Sequence, residues 1–502
     1  MDSFNDSSQS AYFPGLVDIC LSDDGQLVYA IVKDGELTFT PEYSTETETF
    51  TIPAKKHFKF TIPRAAEVLR YFNQEDDSLY ADLLHYLKRF SALDEEQWAI
   101  VVHYVLLTYL HDHPNIDYCA YLLFYAVPER GKSRTGKSVT YVAFRGIHLV
   151  ELRQATLFRF SERMHGTMFL DLLDVSKKAE KSDCGDILLL RAEKGAQCSR
   201  VTHPELGVFD DTEYFDIYGP TIIASNEQLH KILETRCLPI IMPNRPGDYD
   251  NPRPELGLET KERLTAFRAK HLNTIFPEID IIDGIAGRLW DITKPLFYIN
   301  SLLPIDADIL KESILVIAGE KDESRKDTLE GRLVAIIKEI TDESGLDRFA
   351  EWNIKTAEIR SKFNHGRPDD RHVSPQWIGK RLKSMSFHNR IVHGYSEIRI
   401  TAPEYALILK QYGHDSGESG NLNNSLPKKA EQKRTVLNEV DSGRESTAIG
   451  GEKYTFISVD EKELYLERLA ILIHEEGLPL ERAEAIALKS VLDRREANEI
   501  PF

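Results

Sequence analysis

The ten residues "GKSRTGKSVT", Gly131 to Thr140, constrain this chain more than any other stretch. They follow the apolar run "YCAYLLFYAV" and lead into a segment with helical spacing, so they join a strand to a helix. Gly131, Gly136, Lys137 and Ser138 fit G-x-x-x-x-G-K-[ST], the pattern of a phosphate-binding loop. Glycines let backbone N–H groups wrap phosphate oxygens with no Cβ in the way, and the helix N-terminus adds the positive end of its dipole. In this register Lys137 reaches the β- and γ-phosphates of ATP, Ser138 offers its hydroxyl to Mg²⁺, and Thr135 lines the loop.

A strand that feeds a helix through such a loop calls for an α/β fold, and the neighbouring sequence agrees. Short apolar strands, "YLLFYAV", "GTMFLDLL", "YFDIYGPTIIASN" and "LPIIMP", are separated in several places by helical segments. That alternation predicts a parallel sheet covered on both faces, and with the phosphate loop it makes residues 118–250 a nucleotide-binding core. Upstream, "DDGQ" and "KDGE" turns among alternating residues predict a small antiparallel β unit over 1–62, and helical spacing follows over 63–117. Downstream, 251–370 reads as a helical lid or connector and 371–413 as a helix followed by a β-hairpin. Residues 414–451 read as a flexible linker rich in Ser, Gly, Asn and Lys, and 452–502 as a helical hairpin.

Hydrolysis needs more than a loop: a carboxylate near the metal and a group that orients water. Asp171 ends the strand "GTMFLD" and is the candidate for Mg²⁺. The next residue is Leu172, where a water-activating acid would be expected, so Asp174 or Glu129 becomes the candidate base. Asn226 tips "GPTIIASNE" and can hydrogen-bond a γ-phosphate or the attacking water. Arg236 and Arg245 flank the last core strand, where a guanidinium could stabilise charge on a transferring phosphate.

In this order these features resemble AAA+ ATPases, and more narrowly the helicase-type ATPases of phages, plasmids and integrated mobile elements, relatives of superfamily 3 and MCM-like helicases. The resemblance lies in "ATLFRFSERMHGTMFLDLLD", "LLLRAEKGAQCSRV", "GPTIIASNEQLHKILETRCLPIIMP" and "GRLWDITKPL". It implies a P-loop AAA+ core with a helical lid and a winged-helix domain. It also implies that Asn226 is the first sensor, Arg236 a finger acting in trans on a neighbour's ATP, and Arg288 a candidate second sensor. In such relatives a hairpin before the sensor strand grips nucleic acid; here "AEKGAQCSRV" stands in that place, with Lys194 and Arg200 as candidates.

Charge bears on the partner. The chain carries 62 basic and 81 acidic residues, a net of -19, so binding to DNA requires a local basic patch. Between Arg371 and Ile400 six basic residues stand against Glu397 alone. Ser374 and Pro375 open a helix there whose Lys380, Arg381 and Lys383 point away from a Trp377–Ile378–Leu382–Met385 stripe, and Arg390 lies on the following wing.

These readings make an ATP-driven DNA helicase or translocase the leading expectation, oligomeric with a hexamer favoured, in mobile-element or phage DNA replication. The alternatives are a DNA-binding nucleotide switch and a defence ATPase. Five cysteines without a C-x-x-C pair suggest reduced thiols and no zinc site. The polar start and the absence of any long apolar run point to a cytoplasmic protein with no membrane span.

Overall fold

The computed structural model describes residues 7–412 except 46, 47, 204, 206, 208, 209, 327, 344–351, 368–371, 386, 393 and 394, together with 446–449 and 452–455. By packing, the chain divides into two units between Asp415 and Ser416.

The first unit begins with two small sheets. β1 (Ser7–Gln9) opens the chain, and β2 (Leu16–Leu21), β3 (Leu27–Lys33) and β4 (Glu36–Thr40) form an antiparallel meander. β5 (Glu42–Ser44) and β6 (Thr49–Thr51) join β1 in the second sheet. Asp34 and Gly35 make the β3–β4 turn with φ of 53° and 84°, the two positive values that a type I′ hairpin requires and Asp-Gly supplies cheaply.

Three helices follow: α1 (Ala65–Phe72), α2 (Leu79–Lys88) and α3 (Glu95–Thr108). Every residue of α3 from Trp98 to Thr108 is buried, as expected for a helix that is apolar all round and lies inside a core. Its start is fixed by Asp94, whose backbone N–H donates to Gln97 Oε1 at 3.1 Å in a capping box.

The central layer comprises β7 (Tyr121–Tyr125), α4 (Lys132–Val142), β8 (Ile147–Leu149), α5 (Gln154–Met164), β9 (Met168–Asp171), α6 (Val175–Lys181) and α7 (Gly185–Leu190). It continues through the antiparallel hairpin β10 (Gln197–Val201) and β11 (Thr212–Asp216) to β12 (Thr221–Ser225), α8 (Lys231–Glu234) and β13 (Cys237–Ile241). Five of these strands form one parallel sheet in the order β13-β7-β12-β9-β8.

That order creates a crevice. The chain leaves β7 toward β8 at one edge, whereas it leaves β12 toward β13 at the other. Right-handed crossovers carry the two connections to opposite faces. Val139 and Val142 of α4 pack in the cluster of Leu122 and Phe124, and Leu233 of α8 packs in the cluster of Tyr121 and Leu123. Between the carboxyl ends of β7 and β12 the backbone therefore parts, as it does at the ligand sites of open parallel sheets.

α9 (Leu258–His271), α10 (Arg288–Asn300) and α11 (Asp308–Lys326) come next. Ala266 and Ala269 of α9 share a core with Val17, Cys20 and Val28 of the meander and Val68 of α1. The boundary expected at residue 62 thus runs through packed side chains. Fully buried Arg145 pairs with fully buried Asp18 at 2.8 Å and also donates to Ala11 O and Met164 O. Fully buried Arg268 donates to Val17 O, Leu16 O and both oxygens of Asp112.

The last part of this unit is α12 (Leu329–Glu343), β14 (Trp352–Lys355), α13 (Thr356–Asn364), α14 (Pro375–Ser384), β15 (His388–Val392), β16 (Tyr395–Ile400) and α15 (Ala402–Gln411). One core joins Leu333 and Ile337 to Ile359, Ile378, Leu382 and Ile398, so residues on both sides of the expected boundary at 371 pack together. β14, β16 and β15 form a three-stranded antiparallel sheet in that order.

In the second unit β17 (Ser446–Ile449) pairs antiparallel with β18 (Glu452–Thr455). Residues 452–455 of the segment expected as a helical hairpin are the strand β18; the rest of that segment and most of the linker expected over 414–451 lie outside the described residues. Among the described residues no helix is long and apolar enough to cross a membrane.

Candidate functional site

The sheet register lines up the polar ends of three strands. Ser225 of β12 lies opposite Tyr125 of β7, and Ala224 lies opposite Asp171 of β9. Ala126, Asn226 and Asp171 consequently meet at the carboxyl edge. The loop from β7 to α4 runs from Ala126 to Gly131, with Glu129 and Gly131 in the left-handed region at φ of 66° and 82°. A glutamate held there is strained, a feature concentrated at functional loops.

α4 begins at Lys132, five residues earlier than the Lys137–Ser138 register requires. Thr135 N already donates to Gly131 O at 2.9 Å, a helical bond that leaves residues 132–138 unable to wrap a phosphate. Ser138 is fully buried, with its hydroxyl donating to Thr135 O at 2.8 Å. Gly136 serves packing: a Cβ on it would stand 2.2 Å from Phe169 Cζ. Buried Thr135 donates to Ser91 Oγ at 2.8 Å.

At the junction itself stand Lys132 and Ser133. Lys132 Nζ donates to Ala126 O and Val127 O, each at 2.8 Å, and burial pushes its pKa down while nearby Asp171 opposes the shift. Ser133 Oγ donates to Asp171 Oδ1 at 2.9 Å. The signal for this register is Ala126-x-x-x-x-Gly131-Lys132-Ser133, which keeps the spacing but has Ala in place of the first Gly.

His148 is a further residue the sequence reading did not single out. It lies on β8 beside β9, stacks on Phe169 with ring centroids 5.0 Å apart, and brings Nε2 to 3.4 Å from Asp171 Oδ2. His148 first, then the Ser133 hydroxyl, hold the Asp171 carboxyl below the usual carboxylate range; Lys137 adds a smaller attraction. Leu172 is buried. Asp174 is occupied as the N-cap of α6, accepting from Lys177 N at 3.0 Å and pairing with Lys177 Nζ at 2.9 Å.

A cleft of about 240 Å³ adjoins the loop, lined by Phe90, Glu129, Arg134, Met242, Asn244 and Tyr249 among others. Arg245 sits in its wall, tied to the Asp94 carboxylate.

The other sequence-predicted residues are dispersed. Arg236 precedes β13, and its carbonyl accepts from Tyr121 N at the amino edge of the sheet. At about 3.3 Å per residue it lies roughly 16 Å from the carboxyl end of that strand. Among the described residues its guanidinium donates locally, to Ile232 O and Thr235 Oγ1. Arg288 stands over the Tyr118 ring at 5.4 Å and 3.8 Å from Glu193, also toward the amino edge, so it does not join Lys132 and Asp171.

Lys194 does not face solvent as a grip on nucleic acid would. It is half-buried at the base of the hairpin and donates to His113 O at 2.6 Å, and burial lowers its pKa. Arg200 is folded onto α5, donating to Gln154 Oε1 at 2.7 Å and lying 5.3 Å from the Phe158 ring centroid. Around α14, Lys380 and Lys383 are exposed, Arg381 pairs with Glu330, and exposed Arg390 donates to Asn353 Oδ1 at 2.6 Å. Ser374 Oγ caps α14 by accepting from Trp377 N at 3.1 Å.

No protein-family model matches the chain, and no curated protein matches it in sequence. Among solved structures it is similar to the NrS-1 C-terminal region at 10% identity and a TM-score of 0.35, over 77% of this chain and 96% of that one. It is similar to the SCCmec type IV Cch active helicase at 11% identity and a TM-score of 0.33, over 80% of each chain. A full-length MCM homolog from Methanopyrus kandleri shares 11% identity and a TM-score of 0.33, over 59% of this chain and 74% of that one.

Proposed function

We propose that this chain is an ATP hydrolase of the AAA+ helicase type, a DNA helicase or translocase that works as an oligomer, with a hexamer favoured. The observation that carries the reading is the Ser133–Asp171 hydrogen bond beside Lys132, at the carboxyl edge of a parallel sheet and the head of a helix. The groups fit a metal–triphosphate: Lys132 now bonds two loop carbonyls that phosphate oxygens would replace, and the Ser133 hydroxyl and Asp171 carboxylate would hold a divalent cation. Mg²⁺, when bound, offsets charge on the β- and γ-phosphates.

In this reading Lys132 contacts phosphate, Ser133 and Asp171 hold the cation, and Asn226 orients the γ-phosphate or water. The cleft beside Arg134 and Tyr249 takes the nucleoside. Arg236 and Arg288, near the far edge of the sheet, serve a neighbour's nucleotide, which is why an oligomer is required. The helix–strand–helix–helix–strand–strand order from α12 to β16 is that of a winged helix, and Lys380, Lys383 and Arg390 offer it to DNA. The cytoplasm and a mobile-element replication module remain part of the proposal. The test is ATP turnover with and without single-stranded DNA, together with the oligomeric state. Stimulation in an assembled form is expected, and a monomer indifferent to DNA would overturn it.

A second reading is favoured by Leu172, buried where an acid would activate water. On that reading the chain is a DNA-binding nucleotide switch that assembles on ATP without unwinding. A forked duplex separates the two: a motor displaces a strand, whereas a switch binds in an ATP-dependent way and displaces none.

A further inference from the structure

The segment "KKHFKF", Lys55 to Phe60, joins β6 to α1. Phe58 is buried and anchors it, while Lys55, Lys56, His57 and Lys59 are all exposed. Phe60 packs both into the N-terminal cluster around Phe58 and into the cluster that holds Leu157 and Phe158 of α5; Met164, the last residue of α5, shares the former. Phe60, which directly follows the lysines in the chain, thereby shares its packing with α5, which exposes Arg159 and Arg163 one turn apart. Glu162, the acid between those arginines, is turned away, its carboxylate accepting from Asp216 N. Among the described residues none of Lys55, Lys56, Lys59, Arg159 and Arg163 has an ion-pair partner. On a chain of net charge -19 such a cluster of bare cations is a local inversion.

Its position separates it from the nucleotide. α5 ends just before β9 begins, and Arg145, just before β8, donates to Ala11 O and Met164 O. The patch lies by the amino edge of the sheet, whereas Lys132, Ser133 and Asp171 lie at the carboxyl edge. A polyanion held by the patch is therefore a different one from the triphosphate. The hairpin β10–β11, which packs on α5 through Phe215 and Phe158 at 4.6 Å, carries Glu205, Asp210, Asp211, Glu213 and Asp216 against Arg200 and would repel a phosphate chain.

We infer that Lys55, Lys56 and Lys59, with Arg159 and Arg163, form a second DNA-binding surface that contacts the phosphate backbone of a single strand without reading its bases. This rests on the DNA reading above and moves the contact from the hairpin to the segment beside it.

The test uses the full chain and a labelled oligonucleotide of mixed sequence, with binding followed by anisotropy across a salt series. Single-strand binding loses slope in log K against log salt by about 0.7 per phosphate contact removed. Lys55→Ala/Lys56→Ala/Lys59→Ala is expected to flatten the slope by about 2 and to weaken binding roughly tenfold or more at moderate salt. Arg159→Ala/Arg163→Ala flattens it by about 1.4. ATP turnover without DNA stays at its wild-type level, which also reports that each variant folds. Unchanged slopes in both variants, with affinity lost instead in Lys380→Ala/Lys383→Ala, would overturn the patch and leave the DNA reading intact. A wild-type chain that binds no DNA at any salt would overturn both.

Discussion

The Ser133 hydroxyl donates to Asp171 Oδ1 across 2.9 Å, linking the first turn of α4 to the carboxyl end of β9. Ser138, five residues along the same helix, turns its hydroxyl inward to Thr135 O. Under the proposed function, which serine meets the carboxylate decides which lysine would meet the phosphates.

Lys132→Ala is therefore expected to weaken nucleotide binding about 10- to 100-fold, the worth of a hydrogen bond to a charged group. Lys137→Ala, whose residue reaches the site only as a distant charge, should change it by less than about threefold. Isothermal titration with a non-hydrolysable nucleotide distinguishes the two; the reverse ranking would restore the downstream register.

Gly136→Ala tests the packing of α4 on β9. The added methyl meets the Phe169 ring, and overpacking of this kind costs about 1–3 kcal/mol. Urea unfolding should show the loss, and Gly136→Ala combined with Phe169→Leu should recover part of it.

Subunit mixing tests the placement of Arg236. Removing an arginine finger costs on the order of 10³ or more in turnover. Arg236→Ala and Lys132→Ala chains should each be inactive alone, yet a mixture should regain activity, because a Lys132 site then sits beside an intact Arg236. If the mixture stays silent while each variant assembles, the shared site is wrong.

Buried imidazoles set an acid limit. Burial, first of all, lowers the His111 pKa from 6.5 to about 4 and that of His165 from 6.5 to about 3. An unfolded chain takes up these protons as pH falls below 6.5, whereas the folded chain does not until near pH 4 for His111. Stability is thus full above pH 6.5 and declines below it, by at most about 1.4 kcal/mol per pH unit for each group. Chemical denaturation between pH 7 and 4.5 should show this slope, and His111→Gln should flatten it.

The Asp18–Arg145 pair predicts a large stability loss. Removing one member of a buried pair strands the other, at about 3–5 kcal/mol. Asp18→Ala should lower the urea midpoint accordingly, and Asp18→Leu/Arg145→Met should lower it less.

The sheet was largely legible because β7, β9, β12 and β13 are short apolar runs, two of which, β9 and β12, end in polar residues. β8 was not, since three residues are too few to show a period. Asp34-Gly35 announced its turn because few other dipeptides accept two positive φ values. The loop register was hidden by Ala126, a residue that does not advertise a phosphate loop as Gly does. Lys194 and Arg200 could not be oriented from sequence, because His113 O and Gln154, which hold them, lie 81 and 46 residues away. His148 was invisible for the same reason: its meaning comes from the strand laid beside it.

Arg268 gathers the carbonyls of Leu16, Val17 and Tyr109 around one guanidinium that has no access to water. Removing about the first 70 residues would strip that cation of the Leu16 and Val17 carbonyls. The opening seventy residues behave as a keystone rather than an appendage, and shortened versions should fail through collapse of the whole before they report anything about catalysis.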